Sequence, residues 1–166
     1  MSRQWLIAHV PGFSNLPTKD RSALMNFVFL WTLFEAQVME NRAQINRLVG
    51  KVDEWNVSGI LHAGDFDRSL EYFRRRYYRD GAFTDNFFGL NLRPTDHPQL
   101  VRDVLSRVNE NPRDRVLVAI IVIWRYRNNL FHGGKWSYRM IGQRQNFLHA
   151  SDALMKVLER HGNLGD

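Results

Sequence analysis

Hydrophobic residues recur at three- and four-residue steps along most of the chain, which is the spacing of helices that bury one face. The segment from Leu24 to Met39 lacks both glycine and proline. Its apolar stripe consists of Leu24, Phe27, Val28, Trp31, Phe34 and Val38. Asp20 and Ser22 are candidate start signals for this helix. A weaker repetition over 43–55 predicts a second helix, and 56–64 reads as a turn region.

The same spacing predicts further helices in the second half of the chain. A third helix opens near Asp65, and a long connection over 80–98 follows it, with Gly and Pro scattered among Phe83, Phe87 and Phe88. A helix over 96–109 should turn four residues inward: Leu100, Val104, Leu105 and Val108. A last helix over 140–160 ends before Gly162 and has the apolar side Phe147, Leu148, Leu154, Val157 and Leu158.

The segment from Val116 to Trp124 is apolar on every side and rich in β-branched residues, so by itself it fits a buried strand or a buried helix. Its flanks favour the helix. Asn111 is a good N-cap, Pro112 suits the first helical position, and no helix breaker follows before Gly133. We therefore predict a buried central helix.

Length and composition indicate one globular domain. The chain has 166 residues, of which 44% are hydrophobic and 24% charged, values that are ordinary for a single packed core. The expected fold is all-α, a compact bundle of about five to six helices over 1–166, with an N-terminal arm at 1–19 and the aromatic-rich connecting loop at 80–98.

The absence of cysteine excludes disulfides, thiolate zinc sites and cysteine nucleophiles, and it fits a reducing compartment such as the cytoplasm. The N-terminal residues do not have the long apolar stretch of a signal peptide. The longest uncharged apolar run is 116–124, whereas about 20 residues are needed to cross a bilayer. No membrane segment is expected.

The net charge of +6 and the isoelectric point of about 10.1 favour a polyanionic partner such as RNA. Arginines and aromatic residues interleave within 71–79, as they do on surfaces that bind phosphates and stack bases. The RNA-binding candidates are Arg74, Arg75, Arg76, Arg79 and Tyr77. The alternative is a solvated helix face whose aromatic rings point inward.

The run 127–136 contains the groups needed for metal-free phosphoryl chemistry. Arg127 is a permanent cation with a planar fork of donors, Asn128 is an amide, and His132 can accept and donate a proton near neutral pH. Helical spacing puts Asn128 and His132 on one face but separates Arg127 from His132 by roughly 140°. Gly133-Gly134 can end the helix and let them converge, and Lys135 adds charge. Alternatively, these residues only cap the end of a helix.

An arginine, a polar residue and then a histidine within four to six positions, at the end of a late helix in an all-helical domain, resembles the HEPN superfamily, many of whose members are RNases. Here the pattern is Arg127-Asn128-Asn129-Leu130-Phe131-His132. Arg125 also lies within the allowed spacing, but it should point to the opposite side and ranks second. The pairs Arg3 with His9 and Arg144 with His149 have similar separations without the supporting context.

The resemblance implies an RNase whose active groups come from two protomers of a homodimer. Family members often place an acidic residue on an earlier helix against the Arg/His pair, and Glu35 matches that position, although its head could equally lie in water. The implied reaction is attack of the ribose 2′-hydroxyl on the adjacent phosphodiester, giving a 2′,3′-cyclic phosphate without a metal or other cofactor. Toxin activity or phage defence is the implied context, with an inhibitor or antitoxin as a possible partner. Gly134 stands where family toxins with nucleotidyltransferase antitoxins typically have tyrosine.

Two other functions remain open. A non-catalytic helical module of the same shape would bind RNA, a nucleotide or a protein through Arg127 and Asn128, and a basic adaptor would dock through the aromatic loop. The spacings typical of metalloproteases, Walker-type phosphate loops and serine nucleophile elbows do not occur in the sequence.

Overall fold

A buried helix passes through the centre of the protein, and several other helices pack on it. The computed structural model describes residues 2–10, 12–132 and 142–164, and of His132 it describes the backbone. The central helix spans Pro112–His132, and each residue of 116–123 is at most 3% exposed. Asn111 caps it, since its Oδ1 accepts hydrogen bonds from the backbone N–H groups of Arg113 at 3.0 Å and Asp114 at 3.3 Å. The helix predicted here is confirmed, and the strand alternative is wrong.

The described residues form eight α-helices and one small hairpin. The helices are α1 (Ser2–His9), α2 (Thr18–Gln37), α3 (Ile45–Val57), α4 (Asp67–Tyr77), α5 (Asp85–Phe88), α6 (Pro98–Leu105), α7 (Pro112–His132) and α8 (Arg144–His161). Single 3-10 turns lie at Phe13–Asn15, Ala63–Phe66 and Pro94–Asp96. The hairpin pairs β1 (Tyr78–Arg79) antiparallel to β2 (Ala82–Phe83). The predicted all-α class is confirmed, and the short helices α1 and α5 account for the higher helix number.

Two sets of helix contacts form the core. The most extensive contact between two helices is that of α2 with α8, where the rings of Phe27 and Phe147 lie 5.2 Å apart. Helices α3, α4 and α6 each pack on α7, and the ring of Phe73 on α4 meets that of Tyr126 edge-on at 5.8 Å. Helix α4 also packs on α8, where Ser69 Oγ donates to the carbonyl of His149 at 2.8 Å. Helix α4 therefore joins the central helix to the outer pair.

Helix α2 buries the stripe that its spacing predicts, but it begins earlier than expected. Phe27, Trp31 and Phe34 are buried, and Val28 lies at the edge of the stripe. The helix starts at Thr18 directly after Pro17, ahead of the predicted start signals at Asp20 and Ser22. Proline has no N–H, so the helix can begin immediately after it without leaving a backbone donor unpaired at that position.

Two predicted core residues lie at the surface. Val108 is 79% exposed because α6 ends at Leu105, so the chain has already left the helix at this position. Leu148 is 38% exposed because Phe147 occupies the inward position on α8, and the next residue points about 100° away from it. Periodicity gives the face of a helix, but it gives neither the residue where the helix ends, which decided Val108, nor the width of the buried face, which decided Leu148.

The connection over 80–98 is ordered by its aromatic residues. The rings of Phe83 and Phe87 lie 4.4 Å apart, and the guanidinium of Arg102 on α6 lies over both, at 4.8 and 4.7 Å. The hairpin, α5 and a 3-10 turn all fall in this part of the chain. Among the described residues, no helix is both long enough and apolar enough to cross a membrane.

Replacing Phe73 with alanine should lower the free energy of unfolding by about 3–5 kcal/mol, because the ring is fully buried among aromatic side chains and its loss leaves a cavity. The matched control is Phe88→Ala. Because Phe88 is 60% exposed, this substitution should change the free energy of unfolding by less than about 1 kcal/mol. Urea denaturation followed by circular dichroism measures both changes. Equal losses for the two variants would contradict this packing.

Candidate functional site

Arg127 and Glu35 form an ion pair between helices α7 and α2. Arg127 Nη2 lies 3.8 Å from Glu35 Oε2, and the two side chains are 24% and 26% exposed. The indole Nε1 of Trp31, one turn earlier on α2, donates a hydrogen bond of 3.0 Å to the same carboxylate oxygen. The indole thus fixes the carboxylate beside the guanidinium. The structure brings together the two residues that the sequence analysis paired, and the Glu35 head is not simply solvated.

Asn128 supports the same guanidinium. Its side chain is buried, and its Oδ1 accepts a hydrogen bond of 3.1 Å from Arg127 Nη1. Among the described residues, this is the one hydrogen-bond acceptor that the Arg127 side chain has, and Arg127 Nε is buried without a partner. Of the five N–H donors of an arginine, the Nε–H is buried and one Nη1–H is used by Asn128, so the donors left for a ligand are on the two terminal nitrogens.

Two aromatic rings enclose Arg127 along α7. Its Cζ lies 5.6 Å from the centre of the Trp124 ring and 5.3 Å from that of Phe131. Trp124 in turn packs on Trp31, with ring centres 5.8 Å apart. The distances from Arg127 to the Trp124 and Phe131 rings are within the range of a cation–π contact, which restricts the motion of the guanidinium. The site is therefore a partly exposed cation held by a carboxylate, an amide and two rings.

Sequence reasoning identified the polar groups of this site but not its aromatic ones. Trp124, Arg127 and Phe131 are spaced three and four residues apart, so they share one edge of α7. Trp31 and Glu35 are likewise four apart on α2. These spacings were the available signal, but they do not show that side chains of α2 and α7 meet at this point.

His132, the predicted proton-transfer group, is the last described residue before 142. The backbone of His132 forms the last residue of α7, about one and a half turns beyond Arg127, and its side chain is outside the described residues. Lys135 and the Gly133-Gly134 pair also lie outside the described residues. How the imidazole lies relative to Arg127 remains a prediction.

Arg125, the second-ranked arginine, points away from this site and is buried. Its Nε donates to the carbonyl of Leu90 at 3.0 Å, and its Nη1 lies 3.4 Å from Oδ2 of the buried Asp96. Burial lowers the pKa of Arg125, and the charge of Asp96 opposes that shift. Asn129 donates to the same Leu90 carbonyl at 3.1 Å. These groups tie the 80–98 connection to α7.

The arginine and tyrosine cluster of α4 divides between core and surface. Tyr77 is buried, and its hydroxyl lies 2.5 Å from that of Tyr126. Burial raises the pKa of Tyr77, because the charged form loses its contact with water. Arg74 is also buried, donating from Nε to the carbonyl of Val104 at 3.1 Å and from Nη2 to Glu110 Oε2 at 2.8 Å. The prediction that these two residues bind RNA is wrong, since neither side chain is free at the surface.

The other three arginines of the cluster remain accessible. Arg75 and Arg79 are exposed, and Arg79 Nε donates to the carbonyl of Arg75 at 2.6 Å. Arg76 is half-buried and donates from Nη2 to Asn86 Oδ1 at 3.3 Å. They form a basic surface beside the hairpin. Within the part of the chain that the structure describes, no group of three or more His, Asp or Glu residues is arranged to hold a metal ion.

The other Arg/His pairs belong to packing or to the surface. The His149 ring stacks on Tyr72 at 4.2 Å, its Nδ1 is buried and has no hydrogen-bond partner among the described residues, and burial lowers the pKa of His149. Arg3 and His9 lie on α1, which buries no residue. Comparison of the chain with protein-family models, curated proteins and solved structures gave no significant match. The chemistry of the site must therefore be inferred from its own geometry.

Changing Glu110 to glutamine should lower stability near neutral pH by about 1 kcal/mol, because Glu110 is the charged partner of the buried Arg74. The hydrogen bond from Arg74 lowers the pKa of Glu110 below its ordinary value of 4.5, and Arg115 and Arg107 add to the shift while desolvation opposes it. A lowered folded-state pKa contributes stability above the unfolded-state pKa, and this contribution is lost as pH falls through the folded-state pKa.

The measurement is urea denaturation of wild type and Glu110→Gln between about pH 7 and pH 3. The difference between the two proteins should narrow below about pH 4.5 as the wild-type carboxylate takes up a proton. A control variant, Asp85→Asn, changes an exposed acid. A difference that stayed constant with pH would show that Arg74 does not depend on the Glu110 charge.

Proposed function

We propose that the protein is an endoribonuclease that cleaves RNA without a metal ion, with Arg127 binding the scissile phosphate and His132 transferring protons. The observation that carries the proposal is the setting of Arg127. It is a partly exposed guanidinium fixed by Glu35, Asn128 and two rings, on the same helix as His132 and about one and a half turns before it.

The reaction follows from these two groups. His132 accepts the proton of the ribose 2′-hydroxyl, the 2′-oxygen bonds to phosphorus, and the bond from phosphorus to the 5′-oxygen breaks. The departing 5′-oxygen takes up a proton from a second imidazole that acts as the acid, which leaves a 2′,3′-cyclic phosphate and a free 5′-hydroxyl. Arg127 stabilises the extra negative charge on the phosphoryl oxygens in the transition state. Because the 2′-hydroxyl is the nucleophile, an all-deoxy strand is not cleaved.

Glu35 acts through Arg127 as a positioning residue. Its carboxylate is fixed by Trp31 and faces the guanidinium at 3.8 Å, so it restricts where the Arg127 fork can point. The same charge repels the substrate phosphate, since both are anionic. Glu35 therefore favours the geometry of the reaction at some cost in substrate binding.

A second copy of the chain would complete the site. One arginine and one histidine supply one cation and one proton-transfer group, whereas the reaction needs a base for the 2′-hydroxyl and an acid for the 5′-oxygen. A homodimer in which the two α7 ends meet provides both from two His132 side chains. Arg75, Arg76 and Arg79 then serve as a path for the RNA backbone, and Lys135 adds charge near the reacting phosphate.

The biological setting is inferred from the HEPN resemblance alone. It suggests a cytoplasmic toxin or antiviral defence RNase held in check by an inhibitor or antitoxin protein. The competing function is a non-catalytic HEPN-like module that binds RNA, a nucleotide or a protein. The hydrogen bond from Arg127 to Asn128 and the ion pair with Glu35 suit a structural arginine as well. Cleavage assays separate the two functions.

In EDTA, wild-type protein should cleave total RNA to fragments with cyclic phosphate ends. His132→Ala and Arg127→Ala should each lower the rate by about 100-fold or more, because they remove proton transfer and transition-state charge stabilisation. The matched control is His62→Ala, which removes an exposed imidazole from another part of the chain. Gel analysis with end mapping measures cleavage, and circular dichroism checks folding. An obligatory magnesium requirement, cleavage of DNA, or full activity of folded His132→Ala would refute the mechanism.

Glu35→Gln should lower kcat about 10-fold, equivalent to about 1.4 kcal/mol, because the amide still accepts the Trp31 hydrogen bond but no longer fixes Arg127 by charge. KM should stay constant or fall, since a negative charge near the phosphate is removed. Steady-state cleavage of a fluorescent RNA separates the two parameters. Wild-type kinetics in this variant would mean that Glu35 takes no part in the site.

A further inference from the structure

Phe131 is the most exposed member of the site around Arg127. The three residues Trp124, Arg127 and Phe131 share one edge of α7, with the guanidinium between the two rings. Trp124 is partly covered by Trp31 from α2, at 5.8 Å between ring centres. Phe131 is 50% exposed, although the adjacent Leu130 is buried in the core. The edge therefore ends in an aromatic ring that is open to a ligand.

The groups around the Phe131 ring indicate what kind of ligand can bind there. A half-exposed ring 5.3 Å from a guanidinium presents an apolar face and a positive charge side by side. A nucleotide has the complementary pair, a flat base and a phosphate, joined by one ribose. Aromatic side chains stack on any base because every base has a π-face, and arginine binds the phosphate oxygens through its planar fork.

We propose that Phe131 is the stacking position for an unpaired base of the RNA, belonging to the nucleotide whose phosphate Arg127 binds. This inference rests on the proposed function and deepens it by naming the substrate class as single-stranded RNA. A base within a duplex has both faces covered by its neighbours, so it cannot stack on Phe131 without leaving the helix. The ring selects unpaired nucleotides and not a particular base.

Stacking on Phe131 also places the sugar and phosphate. A base held on the ring restricts the backbone of its own nucleotide, and this brings the phosphate to the exposed side of Arg127. Phe131 immediately precedes His132 in the chain, so a base at this position lies close to the end of α7, where the proton-transfer group is proposed. Phe131 is thus a positioning and specificity-determining residue.

The test is a binding experiment that does not need cleavage. The intact probe is a fluorescent single-stranded oligonucleotide with 2′-O-methyl groups throughout, which removes the nucleophile. Further probes have the same sequence, but each lacks one base. Affinity is measured by fluorescence anisotropy at one fixed salt concentration, because the phosphate contacts depend on ionic strength. The proteins are wild type, Phe131→Ala, Phe131→Leu, Phe131→Tyr and the control Phe88→Ala, whose exposed ring lies on α5.

Phe131→Ala should weaken binding of the intact probe about 10-fold, Phe131→Leu nearly as much, and Phe131→Tyr little, because tyrosine keeps the ring. In wild type, one missing base should cost a similar factor. In Phe131→Ala, that same missing base should cost nothing further, since the two losses remove one interaction. Phe88→Ala should bind like wild type and keep the full penalty for the missing base.

Three binding results would overturn the inference: losses that multiply at every probe position, unchanged affinity of Phe131→Ala, or no binding of the probe by wild type. A change in oligomeric state of folded Phe131→Ala, measured by light scattering, would instead assign the ring to a contact between copies and also overturn it. If Phe131→Ala does not fold, Phe131→Leu against Phe131→Tyr gives the same comparison. Shared loss at one position without any RNA cleavage would support stacking while refuting the nuclease chemistry, so the two failures are distinguishable.

Discussion

The burial of α7 is the constraint on which the rest of this structure depends. Two turns of β-branched and aliphatic residues, 116–123, are removed from water on every side, which requires other elements all around them. Helices α3, α4 and α6 supply part of that cover. Because the helix is surrounded over this length and continues to His132, its last turns keep one face in the core, at Tyr126 and Leu130, and present another face outside it. Arg127, Asn128 and Phe131 lie on those turns.

The polar side chains near the end of α7 contact two different parts of the structure. Arg125 and Asn129 face the 80–98 connection and bind its carbonyls, while Arg127, which Asn128 contacts, faces Glu35 on α2. A buried arginine such as Arg125 requires acceptors and an opposite charge, which Leu90 and Asp96 supply. The guanidinium of Arg127 keeps open donors and some exposure instead. The difference in setting, not the residue type, separates the structural cation from the candidate functional one.

The basic residues of the chain likewise divide between structural positions and the surface. A net charge of +6 suggests a polyanionic partner, yet Arg74 is used to bind Val104 and Glu110 inside the protein. Tyr77 was a plausible base-stacking residue by its neighbours, but it pairs with Tyr126 in the core. Arg75, Arg76 and Arg79 keep their place near the surface. A helix turns every residue by about 100°, so a continuous cluster of cations and rings necessarily divides between inside and outside.

The sequence by itself determined the all-α class, the stripe of α2 and the N-cap of α7, because capping and helical periodicity depend on residues close together in the chain. It could not determine that Val108 and Leu148 are exposed, or that Arg74 and Tyr77 are internal. It suggested the pairing of Glu35 with Arg127 only through a resemblance, and it did not identify the aromatic setting of that pair. Those outcomes were decided by the tertiary structure, since they depend on which helices meet and at what point, and contacts between distant segments are not encoded in local spacing.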